Sequence, residues 1–241
     1  KWQNLASKNA GVTVVIVGVS RQPIKEAKIY QNNLVKIADT IGCFLIPNQS
    51  TAVLSRNEPL SELPEMVFGN MPRDGGHLIL SKEEALNLKK VLNDKSIVKK
   101  YIGSKEFIGG SERYCLWIED GQLAEAKTSP IILKRLNSVR QERLKSNAKS
   151  TKQFAEKPHF FVQRAGLADN ITIAVPGVSS ENRPYLPVGL LNKNTVISNK
   201  LFGLFDSEIW TLSIITSRLH WIWIGTVCVR LEMRFSYSNT L

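Results

Sequence analysis

The segment from Asp206 to Ser238 reads DSEIWTLSIITSRLHWIWIGTVCVRLEMRFSYS and carries two patterns that decide the predicted fold. Its first part has the helix-capping pair Asp206–Ser207, followed by an apolar helix pattern through Trp210, Ile214 and Trp221 that ends near Gly225. Its last part, from Arg230 onward, is strand-like, with polar residues at alternate positions. We therefore predict a C-terminal apolar helix followed by a strand.

The apolar run from Leu219 to Val229 is much shorter than the roughly 20 residues that cross a bilayer. We predict that it is a buried helix and that the protein has no membrane partner.

Further helices and strands are predicted upstream of this segment. Ser81 and Glu84 have the spacing of a capping box, which predicts a helix over about 82–92. Pro130 follows Ser129 and begins the longest helix pattern, which is predicted to run to about Glu156. The predicted strands are Val12–Val17, Ala27–Tyr30, Cys43–Ile46, Thr51–Ser55, Tyr114–Ile118, Phe160–Val162, Ile171–Val175 and Tyr185–Leu191, with a polar loop at Ser179–Arg183. The sum is an α+β fold with a mixed, mostly antiparallel sheet, packed helices, one long basic helix and the C-terminal apolar helix.

A stretch rich in Pro and Gly between Glu58 and Gly76 predicts a linker or an extended loop. We therefore divide the chain into 1–57, a sheet edge, and 58–241, the main domain. The chain starts at Lys1-Trp2-Gln3 without a signal-peptide pattern, and we expect it to be a piece of a longer protein.

Composition and charge narrow the classes of function. The chain has 241 residues, of which 43% are hydrophobic, enough for a real core. The formal net charge of +11 attracts polyanions, nucleic acid among them. Cys43, Cys115 and Cys228 lack metal-ligand spacing and are predicted to be core thiols in a reducing cytoplasm.

The long predicted helix carries a strongly basic face. Seven cations oppose two anions, Glu142 and Glu156, so the face could neutralise several phosphates or could merely be solvated. The seven are Lys134, Arg135, Arg140, Arg143, Lys145, Lys149 and Lys152.

Sequence motifs for catalysis, cofactors and metals are missing. The chain has no phosphate-binding glycine motif and no zinc-protease motif, and His77, His159 and His220 lack metal-ligand spacing. A Cys115 nucleophile paired in space with a histidine stays open, although structural histidines are the simpler interpretation. A nuclease would need a carboxylate cluster near a lysine, and no such motif is present. We expect this chain alone to be non-catalytic.

Several long segments resemble one family in order and spacing: Phe68–Leu80, Tyr101–Ile108, Glu112–Ile118, Val178–Arg183 and Arg230–Ser238. The family is the Mme-type (type IIL) restriction-modification enzymes and related adenine-specific DNA methyltransferases, and the match is to their target recognition domain over about residues 58–241. The resemblance implies double-stranded DNA as the partner. It also implies a catalytic methyltransferase domain in the same parent chain, which binds S-adenosylmethionine, flips the target base and methylates adenine N6. Residues 1–57 resemble, more weakly, the last strands of that domain. No cofactor is expected in this chain itself.

In this family the positions that vary with specificity correspond here to Glu232, Arg234 and Ser236. A carboxylate accepts from cytosine N4 and a guanidinium donates to guanine O6 and N7, so the first two residues together suit one C·G pair. The third departs from relatives, which often have Arg there. The alternative is an exposed Glu232–Arg234 salt bridge worth under about 1 kcal/mol.

Phosphate contacts are predicted from the basic helix and from two loops. Arg183 lies in a loop of hydroxyl and amide side chains that suit phosphate oxygens, or the loop is only a polar turn. Arg73 beside Asp74 either places backbone near DNA or holds its own loop by an ion pair, and the second role is favoured. A different class of function stays open, namely a protein-interaction module that docks a methyltransferase or helicase with its basic face merely solvated.

Overall fold

The computed structural model describes residues 15–31, 33–48, 52–54, 62–231 and 234–239. Within these ranges the chain forms seven α-helices and thirteen strands in four sheets. The strands are β1 (Ala27–Gln31), β2 (Leu34–Ala38), β3 (Val67–Phe68), β4 (Ile79–Leu80), β5 (Val98–Ile102), β6 (Tyr114–Leu116), β7 (Ile171–Pro176), β8 (Val178–Ser180), β9 (Gly189–Asn192), β10 (Thr195–Ile197), β11 (Leu201–Phe205), β12 (Val229–Leu231) and β13 (Arg234–Ser236). The helices are α1 (Lys82–Val91), α2 (Ser104–Gly109), α3 (Leu123–Ala126), α4 (Pro130–Leu144), α5 (Lys149–Gln153), α6 (Trp210–Thr216) and α7 (Arg218–Val227). Strand pairs are antiparallel except β5 with β10, so the predicted α+β class is confirmed.

An N-terminal hairpin of β1 and β2 stands apart from the hydrophobic cores. The strand predicted at Ala27–Tyr30 is confirmed as β1. The apolar side chains Tyr30, Leu34 and Ile37 of the hairpin are exposed, and Ala38 alone of the two strands is buried.

Two further strand predictions in this region are wrong for the residues described. Cys43–Ile46 forms a turn, because Leu45 takes a positive φ of 59° and donates its amide to the Gly42 carbonyl. Residues 15–17 and 52–54 are not in strands, and the rest of both predicted segments, residues 12–14, 51 and 55, lies outside the described residues.

The first core lies between the sheet β10-β5-β6-β4 and helices α1 and α4. The predicted capping box starts α1: the Ser81 hydroxyl accepts from the Glu84 amide while the Glu84 carboxylate accepts from the Ser81 amide. The strand predicted at Tyr114–Ile118 is confirmed over Tyr114–Leu116 as β6, and Trp117 and Ile118 beyond its end are core residues, with Trp117 only 4% exposed.

The second core lies against the sheet β3-β11-β7-β9 and helices α6 and α7. Its central strand β7 agrees with the prediction for Ile171–Val175, whereas the strand predicted from Tyr185 begins only at Gly189. The predicted strand at Phe160–Val162 is wrong, because the Phe160 amide donates to the Lys157 carbonyl and closes a turn.

The segment predicted to be a linker contributes a junction between the two main sheets. Residues 55–61 lie outside the described part, but β3 and the fully buried Asn70 follow. The Asn70 amide group donates to the Gly166 and Ile197 carbonyls, and its oxygen accepts from the Ala165 amide. Packing is so tight here that a Cβ on Gly69 would lie 2.3 Å from the Ser198 carbonyl oxygen.

Two long helices of the prediction are interrupted. The first begins at Pro130 as expected but ends at Leu144, and α5 follows after a break. The C-terminal helix is split into α6 and α7 by Ser217, whose hydroxyl accepts from the His220 amide and caps α7. Asp206 does not cap a helix; its carboxylate accepts from the amides of the loop that leads into β7.

Candidate nucleic-acid interface

The segment from Arg230 to Ser236, predicted to be part of one strand, forms parts of two strands, and Arg234 and Ser236 both lie in the second, β13. Leu231 at the end of β12 pairs with Arg234 at the start of β13, so the chain reverses direction between them. The predicted single strand from Arg230 is therefore wrong. Glu232 lies outside the described residues.

Strand β13 presents Arg234 on an accessible face. Arg234 is exposed, and Ser236 is half-buried. Because side chains two residues apart lie on the same face of a strand, these two residues share one face. The intervening Phe235 is buried on the opposite face. Arg234 is paired with Ser180 of β8, so a hydroxyl from a second strand borders the same face.

The buried face of β13 is held by α7. The ring of Phe235 meets Trp221 edge to face, with centroids 5.1 Å apart. The next inward residue, Tyr237, places its hydroxyl 3.1 Å from Nε2 of His220. Burial lowers the pKa of His220, which favours the neutral imidazole. A rigid apolar layer thus fixes the direction of the exposed face of β13.

Strand β8 changes the prediction for the Ser179–Arg183 segment. Ser179 and Ser180 belong to β8, and the turn begins only after them, at Glu181. The Arg183 amide donates to the Ser180 carbonyl at 3.3 Å. Arg183 therefore lies close to Ser180, the residue of β8 that pairs with Arg234.

Helix α4 keeps only part of its predicted basic surface, because Arg143 is buried. It is 1% exposed, and its guanidinium donates to the carbonyls of Pro72, Arg73, Phe154, Lys157 and Phe160. Burial lowers the pKa of Arg143 to about 10, so the cation persists at neutral pH. The prediction that Arg143 contacts phosphate is wrong, because its donors already bind backbone.

The other cations of the helix differ in how they are engaged. Arg135 donates to the His77 and Ile79 carbonyls and pairs with Glu84, which makes it a link to the β4 loop. Ion pairs also join Arg140 to Glu156 and Lys145 to Glu142. Lys134, Lys149 and Lys152 are exposed.

Arg73 makes a contact that differs from the predicted ion pair. Its guanidinium donates to the Thr151 hydroxyl at 3.0 Å, while Asp74 accepts from the backbone amides of Gly76 and Leu78. The favoured structural role of Arg73 rests on this link to α5.

Metal and nucleophile chemistry find little support in the described residues. No group of three or more potential metal ligands is present among them, and no helix of the described part is long and apolar enough to cross a membrane. Burial raises the pKa of the Cys115 thiol, which disfavours the nucleophilic thiolate. The His159 ring is hydrogen-bonded to Asp120, at 2.9 Å.

The apolar C-terminal helix was predicted to be buried, and this is only partly true. Trp221 and Ile224 enter the core, but Leu219 is 78% exposed and Ile222 54% exposed. Other exposed apolar residues of α6, α7 and their ends are Ile209, Trp210, Ile214, Trp223 and Val229. We call these seven residues the α6–α7 apolar face.

Comparison with known proteins gives concordant matches. The family model described as MmeI, target recognition domain, matches residues 47–241. "DNA methyltransferase A" of Bacillus subtilis (strain 168) is 38% identical over 243 residues, which covers all of this chain and 28% of that protein. A solved structure of the type IIL restriction-modification enzyme MmeI in complex with DNA superposes with a TM-score of 0.80 at 31% identity, over 90% of this chain and 30% of that one. The chain therefore spans less than a third of the length of each of these two proteins.

Proposed function

The chain belongs to the MmeI target recognition domain family, and we propose that it is the part of a DNA (adenine-N6) methyltransferase or restriction-modification enzyme that selects the DNA sequence. The catalytic step, with S-adenosylmethionine as methyl donor, then belongs to a methyltransferase domain of the same parent protein. This chain supplies no catalytic group. Its cellular place is the cytoplasm, where such an enzyme meets DNA.

The observation that carries this proposal is the exposed face of β13. Arg234 is held in position by its strand pairing with Ser180 and by the packing of Phe235 on Trp221, and its guanidinium makes no hydrogen bond or ion pair with another described residue. A free guanidinium on a rigid, narrow sheet suits the bidentate contact to guanine O6 and N7 in the major groove. Glu232 would accept from the paired cytosine N4, and Ser236 would contact a neighbouring base.

Phosphate contacts fix the protein on the duplex without reading sequence. On α4 and α5 we assign them to the exposed cations Lys134, Arg140, Lys145 and Lys149. The ion pairs of Arg140 and Lys145 are solvent-exposed and cost little to exchange for phosphate. We call the exposed face of β13, with Arg234 and Ser236, the reading face. Arg183 lies beside it, and we assign Arg183 the same role of phosphate contact. Arg73 is held by Thr151, and Arg135 by backbone carbonyls, so both position their loops.

Two exposed apolar surfaces suit contact with another protein domain, in addition to the contact with DNA. The α6–α7 apolar face includes two tryptophans, and large exposed apolar side chains gathered on neighbouring elements favour a protein interface. The hairpin β1–β2 exposes further apolar side chains and falls in 1–57, which we assign to the tail of the catalytic domain, with the recognition domain at 58–241. We propose that both surfaces contact the catalytic domain of the parent protein.

The experiment that tests the function is selection of the chain against a pool of randomised duplexes at moderate salt, followed by sequencing of the retained DNA. Sequence reading predicts a short enriched motif that contains a C·G pair next to adenine. Equal retention of all duplexes would mean that the chain binds phosphates and does not read bases. No retention at any salt concentration would contradict the proposal and favour the protein-interaction module.

A further inference from the structure

Four cations lie in two pairs at the two ends of the strand that borders the reading face. Strands β7 and β8 are one continuous segment that passes from one sheet to another at Gly177. The Gly177 amide donates to the Lys200 carbonyl at 3.1 Å, and its carbonyl accepts from the Tyr237 amide at 2.9 Å. Lys200 therefore lies one residue beyond the Val178–Ser236 pair of β8 and β13.

A second lysine joins Lys200 at this end. The Ser104 hydroxyl donates to the Lys200 carbonyl, which places the start of α2 and its next residue, Lys105, against the same turn. Both lysines are exposed. The acid of α2, Glu106, is buried and paired with Arg113, so it leaves the charge of Lys105 uncompensated.

The opposite end of β8 carries two arginines. Arg183 follows Ser180 by one turn and is half-buried, and its Nε is buried without a hydrogen-bond partner among the described residues. Arg218, the first residue of α7, is exposed and donates through Nη1 to the Pro184 carbonyl at 3.2 Å, which fixes it to the same loop. The acidic residue of this loop, Glu181, is half-buried.

The distance between the two ends suits a DNA groove. Ser180 lies three residue steps beyond Gly177, or about 10 Å at the usual rise of a strand. The major groove is about 12 Å wide, and its two walls are the phosphates of the two DNA strands. Cations at the two ends of β8 thus lie where the walls would be if β13 enters the groove.

We propose that Lys105 and Lys200 contact the phosphates of one DNA strand and that Arg218, with Arg183, contacts those of the other. These positioning contacts centre β13 in the major groove. The inference rests on the proposed function and adds three residues to it. These cations lie at the two ends of β8, beside β13, whereas the cations of α4 and α5 lie on a separate helical surface.

The test is the salt dependence of duplex affinity for the chain and for Lys105→Gln/Lys200→Gln/Arg218→Gln. Each phosphate contact contributes about 0.9 to the slope of log affinity against log salt, so the triple variant should lose roughly 2.7 from it. Between 50 and 200 mM salt, wild type should therefore lose roughly 40-fold more affinity than the variant. The loss should be equal on the selected motif and on scrambled duplexes.

A matched control removes three exposed lysines that surround the first core, in Lys90→Gln/Lys95→Gln/Lys127→Gln. It lowers the net charge equally and should keep the wild-type slope. Circular dichroism and thermal melting check that both variants fold, and the single variants replace the triple one if it does not. A wild-type slope in the flanking variants, or an equal fall in the control, would overturn the inference while leaving the proposed function intact. If wild type itself shows no salt-dependent duplex binding, the proposed function fails first.

Discussion

Replacement of Arg143 by methionine separates the two roles that a cation on a basic helix can have. The side chain is 1% exposed and donates to five carbonyls at 2.6–3.1 Å, which join α4 to the Pro72–Arg73 loop and to the turn at 154–160. Methionine fills a similar volume but offers no donor.

The magnitude follows from the number of carbonyls that lose their partner. A hydrogen bond to a charged donor is worth about 1.5–3 kcal/mol, and the values are not additive. If water reaches some of the five carbonyls and two stay buried, the free energy of unfolding still falls by about 4 kcal/mol. The exposed neighbour Arg140, replaced in the same way, should change it by no more than about 0.5 kcal/mol, because its ion pair with Glu156 is exposed.

Urea unfolding followed by circular dichroism measures both variants, with the midpoint and the slope fitted separately. A loss of no more than about 0.5 kcal/mol in Arg143→Met, the range of ordinary surface substitutions, would contradict a structural role for the five hydrogen bonds. A stable Arg143→Met protein with a reduced salt slope for DNA would instead restore Arg143 as a phosphate contact.

Three further changes test other parts of the structure. Gly69→Ala places a Cβ 2.3 Å from the Ser198 carbonyl oxygen and should lower the free energy of unfolding in urea by about 1–3 kcal/mol. Gly121→Ala, where the Cβ meets open space, should lower it little, and equal losses in the two variants would contradict the tight junction at Gly69. Hydrogen bonds from the amides of Asp169 and Asn170 lower the pKa of Asp206, so its carboxylate stabilises the fold above the unfolded pKa of about 3.9 and ceases to do so as pH falls through the lower folded pKa. Asp206→Asn, which tolerates the positive φ there, should therefore be less stable than wild type at pH 7 and should lose less of its Tm between pH 7 and pH 3; parallel curves would refute this. Lys134→Gln with Lys149→Gln should lower the DNA salt slope by roughly 1.8 on every duplex, and an unchanged slope would remove α4 and α5 from the interface.

Local signals in the sequence predicted the parts of the fold that depend on neighbouring residues. The Ser81 capping box and Pro130 marked the starts of α1 and α4 correctly, because both act through the backbone of a single helical turn. Tertiary contacts decided the rest. Arg143, near the end of α4, ties that helix to the Pro72–Arg73 loop and to the turn at 154–160 through contacts that no local pattern shows.

A signal for the burial of Arg143 was present in the sequence. Ile132, Leu136 and Val139 form the buried stripe of α4, and Arg143 continues the same helical period four residues later. An arginine in the apolar stripe of a helix indicates a buried structural cation, and charge counting along the helix missed this.

Alternation of residue types could not show the reversal between β12 and β13. The pattern from Arg230 onward fits one strand as well as two, and pairing with the distant β8 decides between them. The exposure of Leu219 and Ile222 on α7 was equally hidden, because an apolar run does not show which of its faces the rest of the chain covers.

The most direct test of sequence reading by β13 compares wild type with Arg234→Ala on the same randomised duplex pool, with sequencing of the retained DNA. We expect the variant to lose its preference at one base pair of the motif, at a cost of about 1–3 kcal/mol, and to keep the preferences at the other positions and the salt slope. Equal weakening on motif and scrambled duplexes, or an unchanged motif, would contradict the claim that Arg234 reads a base.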